Sequence, residues 1–215
     1  YEPVRDFEPI ALVAILPLIL VVNPSVPVNS LQELIAYARK NPGKLNFAST
    51  GNGSSIHLAG EMLKMVAGID IVHVPYKGAS PALTDLLGGQ VQFMFTTIPP
   101  ALPHVKAGKL KALAVASAKR SSILPDLPTT AEGGAPGVEA ASWNGVLAPA
   151  KTPVEIVRAL NRELGQVMQI PEVIDKLKVA GVEPAFDSPE EFAAFIASET
   201  ARYAKVVQVS HAHVD

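Results

Sequence analysis

Two kinds of apolar patterning succeed one another along the chain. As far as Ala116, short β-branched runs alternate with amphipathic stretches of helical period, and from Thr152 onward the pattern is almost wholly helical. Pro9–Ala14 and Leu18–Asn23 read as two strands buried on both faces, on either side of Pro17. Ser30 and Glu33 form a capping box for a helix over Leu31–Lys40, which Asn41-Pro42-Gly43 closes. A strand over Leu45–Ala48 breaks into Ser49-Thr50-Gly51-Asn52-Gly53-Ser54-Ser55. A helix over about Ile56–Val66, a strand over Ile71–Val74 and the turn Pro75-Tyr76-Lys77-Gly78 follow. Ser80-Pro81 starts a helix with proline at its first position, and Gly88-Gly89 ends it. Val91–Phe95 is a strand running out at Thr96-Thr97, a short helix stops near Gly108, and Leu110–Ala116 is a further strand. This alternation predicts a parallel α/β sheet.

The remainder is read in the same way. Ser117–Gly137 is a Pro-, Gly- and Ser-rich connection with a short turn near Thr130–Gly133, and Ala141–Leu147 is a strand. Thr152-Pro153-Val154-Glu155 is a capping box for a helix to about Met168, and Pro171 opens a shorter helix closed by Gly181. Ser188-Pro189-Glu190-Glu191 caps a long last helix with Phe192, Phe195, Ile196, Tyr203 and Val207 on its apolar face.

The stretch from Leu45 to Gly78 carries the chemistry. A strand that opens through glycines and serines into a helix presents unpaired N–H groups at the positive end of the helix dipole, which suits an anion. Gly51 and Gly53 permit positive φ and close approach to the backbone, and Ser54 and Ser55 can cap the helix or donate to a carboxylate. Lys77 adds a cation at the same edge if the two strands are parallel neighbours. The same composition also serves a plain turn. Asn52-Gly53 is a hairpin signal, but a helical pattern follows it. No Gly-Lys-Ser/Thr closes the loop, the third glycine of a dinucleotide fingerprint is missing, and no Gly-x-Ser-x-Gly elbow surrounds Ser54. His57, one turn into the helix, is either structural or a ligand contact. His73, His104, His211 and His213 share no metal spacing beyond the terminal His211-x-His213, which reads as a frayed tail, so neither metal nor cofactor is predicted. Asp85, Asp126 and Glu132 form no acid–base pair, Lys119-Arg120 reads as a solvated pair, and Trp143 beside Gly145 suits a pocket wall or a core.

Composition narrows the classes. The chain has 215 residues, 48% of them hydrophobic, and a net charge of −2, which describes a cored protein without a general pull on nucleic acid or anionic membranes. With no cysteine there is neither disulfide nor thiolate chemistry, and the compartment stays open. The apolar run Ile10–Val22 falls short of the ~20 residues of a spanning helix. Arg5 before it faintly mimics a signal peptide, but its β-branched content and Pro17 fit strands better, so no membrane insertion is expected.

Several segments together resemble a known family. Lys44 to Ala59 is similar to the second ligand loop of the tripartite tricarboxylate transporter receptors, also called Bug proteins. Asp6-Phe7-Glu8-Pro9-Ile10, His73-Val74-Pro75-Tyr76-Lys77-Gly78, Leu86-Leu87-Gly88-Gly89-Gln90-Val91, Leu124-Pro125-Asp126-Leu127-Pro128-Thr129 and Trp143-Asn144-Gly145 resemble it too, in order and over essentially the whole chain. The resemblance implies a non-enzymatic periplasmic solute-binding receptor. Its fold would be α/β, of the two-lobed type II periplasmic binding protein plan, with crossing strands between lobes that close on a small carboxylate. Ligands in the family include di- and tricarboxylates, acidic amino acids and aromatic acids, passed to the large and small permease subunits in the membrane. Carried over, the ligand-binding set is Ser49, Thr50, Gly51, Asn52, Gly53, Ser54, Ser55 and His57, with Tyr76, Lys77, Gly78, Thr96 and Thr97 beside it. Thr96 stands where some relatives carry an acid, which weighs against recognition of an amino group.

On the same plan, residues 22–144 are a complete second lobe, and residues 1–21 with 145–215 are the remainder of the first. A signal peptide and a first strand with a Pro-Gly-Gly loop are expected upstream, and with them most of the sheet that the C-terminal helices should cover. Two alternatives belong to other classes. One is an effector-sensing domain of a transcription regulator or signalling system, for which these residues hold no helix-turn-helix. The other is an enzyme using Ser54 and His57, which lacks an acid partner in sequence.

Overall fold

Residues Phe7–Val22 form one strand, β1, where two were expected. Pro17 is tolerated because its missing N–H falls between two sets of partners. Pairing of β1 with Glu183–Pro184 involves Ala14 and Ile15, whereas pairing with Phe93–Thr97 begins at Leu18 and with Lys111–Val115 at Ile19. The computed structural model describes Glu2 and residues 4–210, so His211 and His213 lie outside the described residues. It divides at this strand into two compact units: the chain up to Leu16 with Trp143–Lys205, and Pro17–Ser142 with the chain from Val206.

In the Pro17–Ser142 unit, β1 is followed by α1 (Leu31–Lys40), β2 (Asn46–Ser49), α2 (Ser55–Ala67), β3 (Val72–Pro75), α3 (Ala79–Leu87), β4 (Phe93–Thr97), α4 (Ile98–Lys106) and β5 (Lys111–Val115). The strand order is β3-β2-β4-β1-β5. β2 runs parallel to β3 and β4, but β1 is antiparallel to both β4 and β5, so the sheet is mixed rather than parallel. Alternation of strand and helix requires only that a helix intervene, and either strand direction meets that requirement. The core holds Leu18 to Val22 of β1, Phe47, Phe93 and Phe95, with Leu31, Leu34 and Leu63 of the helices, all fully buried.

The expected caps meet mixed outcomes. Glu33 N–H donates to Ser30 Oγ at 3.1 Å, while the Glu33 carboxylate accepts from Asn29 N–H rather than from Ser30. α3 starts at Ala79, before the expected Ser80-Pro81 cap; Gly78, at φ 111°, precedes it without a side-chain cap. Lys119 and Arg120 are exposed, as the sequence suggested, and the Arg120 guanidinium also donates to both Glu132 oxygens.

In the other unit β1 pairs with β6 (Ala141–Pro149) and β7 (Glu183–Pro184), accompanied by α5 (Val154–Val167), α6 (Pro171–Val179) and α7 (Pro189–Ser210). Ile10 and Ala11 pack with Ala148 and Val157. The Asn161 amide ties the unit together by donating to Ile10 O and Asp187 O. Trp143 stands edge-on to Phe192 and Phe195, and Gly145 leaves room for the Phe192 ring. The Thr152–Glu155 box does not form: Thr152 Oγ1 donates to Pro149 O, and α5 starts after Pro153. The Ser188–Glu191 box does form, with bonds in both directions. Toward the end of α7 the buried valine is Val206, not Val207. α5 leaves Ile156, Leu160 and Val167 exposed along one side. Among the described residues no helix is long and apolar enough to cross a membrane.

The contact between α2 and β2 has little slack. A Cβ on Gly60 would lie 2.1 Å from Phe47 Cε2, and the Phe47 ring is itself fully buried. Gly60→Ala should therefore lower the unfolding free energy by about 1–3 kcal/mol through overpacking. Urea titration would show this as a lower midpoint at unchanged slope, and a parent-like midpoint would mean that the ring can yield.

Candidate functional site

Because β3, β2 and β4 lie side by side and run the same way, their last residues, Pro75, Ser49 and Thr97, reach one edge of the sheet. Each strand feeds a helix within a few residues: β2 leads to α2, β3 to α3 and β4 to α4. Three helix N-termini thus begin at the same edge, each with orphan N–H groups and the positive end of its dipole. This is the location expected for a ligand in an open α/β sheet.

The loop from Ser49 to Ser55 closes on its own atoms. The Gly51 carbonyl accepts from Ser54 Oγ at 2.8 Å, from Ser49 Oγ at 3.1 Å and from Ser54 N–H at 3.3 Å. Gly51 N–H donates to Ser49 Oγ, and Gly53 N–H donates to His57 Nδ1 at 3.1 Å. Gly51 and Gly53 have φ of 131° and 72°, conformations that favour glycine. Ser54 is the N-cap of α2, its Oγ accepting from His57 N–H. The capping leaves Ser55 and Ile56 N–H as the donors of the first turn without a helical partner, and Ser55 Oγ lies 3.0 Å from Ser142 Oγ. Thr50 and Asn52 are half-buried in the same loop.

The other expected residues gather at the adjoining strand ends. Tyr76 N–H donates to Ser49 O, which joins the β3 turn to the start of the loop. The Tyr76 hydroxyl donates to Asp85 Oδ2 at 2.8 Å, and burial together with Asp85 pushes its pKa up to about 12. Lys77 is exposed, and with β2 and β3 parallel it stands at the loop's edge of the sheet. After Gly78, α3 offers Ala79 and Ser80 N–H, since Pro81 has none. Thr96 is buried and Thr97 half-buried at the end of β4. Thr97 is the N-cap of α4, where Pro99 and Pro100 leave only Ile98 N–H in the first turn.

His57 faces inward. Its ring is buried, lies 3.7 Å from the His73 ring centroid in a parallel stack, and brings Nε2 to 3.8 Å from Glu61 Oε1. Burial and the neighbouring His57 push His73 down to about 4. Burial works to raise Glu61, but the nearby His57 and Lys64 outweigh it and keep the carboxyl below its ordinary value. His73, Ser142 and Asp85 are the residues that sequence reasoning did not place at the site. The sequence signals for His73 were its place at the head of the family-like run His73–Gly78 and on a strand adjoining the loop.

These contacts remove the support for a Ser54–His57 nucleophile. Ser54 Oγ is engaged as a cap, and the two ring nitrogens of His57 face Gly53 and Glu61. Ser49 Oγ does lie 2.6 Å from His73 Nε2, but Ser49 is fully buried and closed to a substrate. Among the described residues no three His, Cys, Asp or Glu side chains cluster as a metal site.

The lowered His73 has a consequence for stability. Its value falls from 6.5 to about 4 on folding, so the folded state takes up fewer protons than the unfolded chain between those limits. The stabilisation is complete above pH 6.5 and is lost as the pH drops toward about 4, at about 1.4 kcal/mol per unit. Urea titrations across that window should show the slope in the parent protein and a flatter curve in His73→Gln. Equal slopes would mean that proton uptake at residue 73 does not drive the effect.

Comparison with known proteins agrees with this architecture. Residues 1–211 match the profile of the tripartite tricarboxylate transporter family receptor. The chain is 38% identical over 208 residues to the protein BugT of Bordetella pertussis, covering 97% of this chain and 64% of BugT. It matches the structure of the R. palustris protein Rpa4515 with adipate at a TM-score of 0.88 and 39% identity, covering all of this chain and 72% of that one. MatC from Rhodopseudomonas palustris, with bound malate, matches at 0.82 and 32%, covering 96% and 71%. The chain spans less than two thirds of the length of several curated relatives that it matches. A mixed sheet with three helix N-termini at one edge, and sequence likeness running nearly end to end, lead to one conclusion: the chain belongs to the tripartite tricarboxylate transporter receptor family, the periplasmic binding proteins that include the Bug proteins.

Proposed function

We propose that the protein is a periplasmic receptor that captures a small dicarboxylate and delivers it to the membrane permease subunits of a tripartite tricarboxylate-type transporter. The observation that carries this reading is the convergence of the α2, α3 and α4 N-termini at the end of β3-β2-β4. Backbone donors there, chiefly Ser55 and Ile56 N–H of α2, receive a carboxylate, with Lys77 supplying long-range attraction. The adipate and malate in the two related structures are both dicarboxylates, which supports that ligand class. Thr96 offers no carboxylate to an ammonium group, so adipate and malate should bind better than aspartate or glutamate.

Calorimetry with those four acids tests the reading. Binding of adipate or malate in preference to the amino acids supports it, and binding of none of them overturns it. Kinetics give a second test. Lys77→Gln should lower the association rate for the bound acid about threefold at low ionic strength and little at high salt, because exposed charges are screened beyond a Debye length of ~10 Å at 0.1 M. Equal changes at both salt concentrations would assign Lys77 a packing role.

A further inference from the structure

His57 and His73 are stacked with their planes 8° from parallel, beside the Phe47 ring. Each holds one part of the loop between β2 and α2. Gly53 N–H donates to His57 Nδ1 at 3.1 Å, and Ser49 Oγ lies 2.6 Å from His73 Nε2. Core histidines can be satisfied by any nearby polar group, but both of these partners belong to the loop. One stands where the strand ends and the other just before the helix cap. We propose that His57 and His73 are positioning residues for the ligand loop, fixing the Gly53 amide and the Ser49 hydroxyl so that Ser55 and Ile56 N–H stand ready for a carboxylate. The ligand class comes from the receptor reading above; the hold on the loop does not depend on it.

The hold depends on which ring nitrogens carry hydrogen. Nδ1 of His57 accepts only while it carries no proton, and a proton there sets one N–H against another. The charged groups facing the pair are Glu61, 3.8 Å from His57 Nε2, and Lys64, 4.0 Å from Glu61; β2 and β4 present Phe47 and Phe93.

Three variants separate positioning from a purely structural role. His57→Asn keeps an acceptor near the Nδ1 position, His57→Leu has none, and His73→Gln keeps a polar group near Nε2. With adipate as the probe near neutral pH, His57→Leu should bind about tenfold more weakly, while His57→Asn and His73→Gln stay within about threefold of the parent. Amide hydrogen exchange reads the loop without a ligand: Gly53 N–H should be protected in the parent and in His57→Asn, and exposed in His57→Leu. Parent-like adipate affinity in a folded His57→Leu overturns the proposal, as does a folded His57→Asn that binds no better than His57→Leu. If the parent binds no adipate, the receptor reading fails on that probe and exchange alone decides. Gly53 protection that survives in His57→Leu then overturns the positioning role.

Discussion

The Phe47 ring is the constraint on which both the fold and the site depend. It lies fully buried beneath Gly60, where α2 comes too close to the sheet for any side chain, with Phe93 at 5.8 Å and His73 at 5.0 Å between ring centroids. Strand side chains alternate, so Phe47 shares its face with Ser49, two residues on. The residue that seats the helix is therefore followed on the same face by the hydroxyl that begins the loop. His73 stands opposite Phe47 in the β2–β3 register. A slip of one residue would carry His73 to the other face and separate it from Ser49 and His57. Packing the core and shaping the loop are one requirement here.

What could be read in advance follows from how local each signal is. Ser30 with Glu33 and Ser188 with Glu191 sit three residues apart, and both pairs cap the helices they predict. Thr152 with Glu155 has the same spacing but fails, because α5 starts after Pro153 and leaves Thr152 one residue ahead of the N-cap, its hydroxyl donating to Pro149 O. The pattern states which groups could bond, and the residue at which the helix starts decides whether they do. The direction of β1 was equally hidden, since an apolar run looks the same read toward either end of a sheet. Pro17 looked like a break because the changeover of partners that accommodates it is visible only once those partners are placed.

The same reasoning applies to the site. Glycines and serines at positions 49–55 mark a strand-to-helix loop because the backbone geometry they permit is local, and the cap at Ser54 and the positive φ of Gly51 and Gly53 follow from it. The parallel run of β2 and β3 meets the condition on which Lys77 was placed at that edge. His73 reaches the loop from 24 residues away through the β2–β3 register, and Ser142 of β6 from 87 residues away. No spacing rule within one segment could have paired them with it.

The placement of β1 also bears on how the chain is made. Leu18 pairs with Thr97 and Ile19 with Val115, so β1 is synthesised well before these neighbours. At roughly 5–20 residues per second, it waits on the order of 5–20 s with an uncharged, β-branched run from Pro9 to Val22 unpartnered. Segments of that composition are the ones that pair with copies of themselves. Pro17 sits in the middle of the run, where it costs the finished ladder little because the partners change there. During the wait it divides one long sticky segment into two short ones, as a gatekeeper residue does.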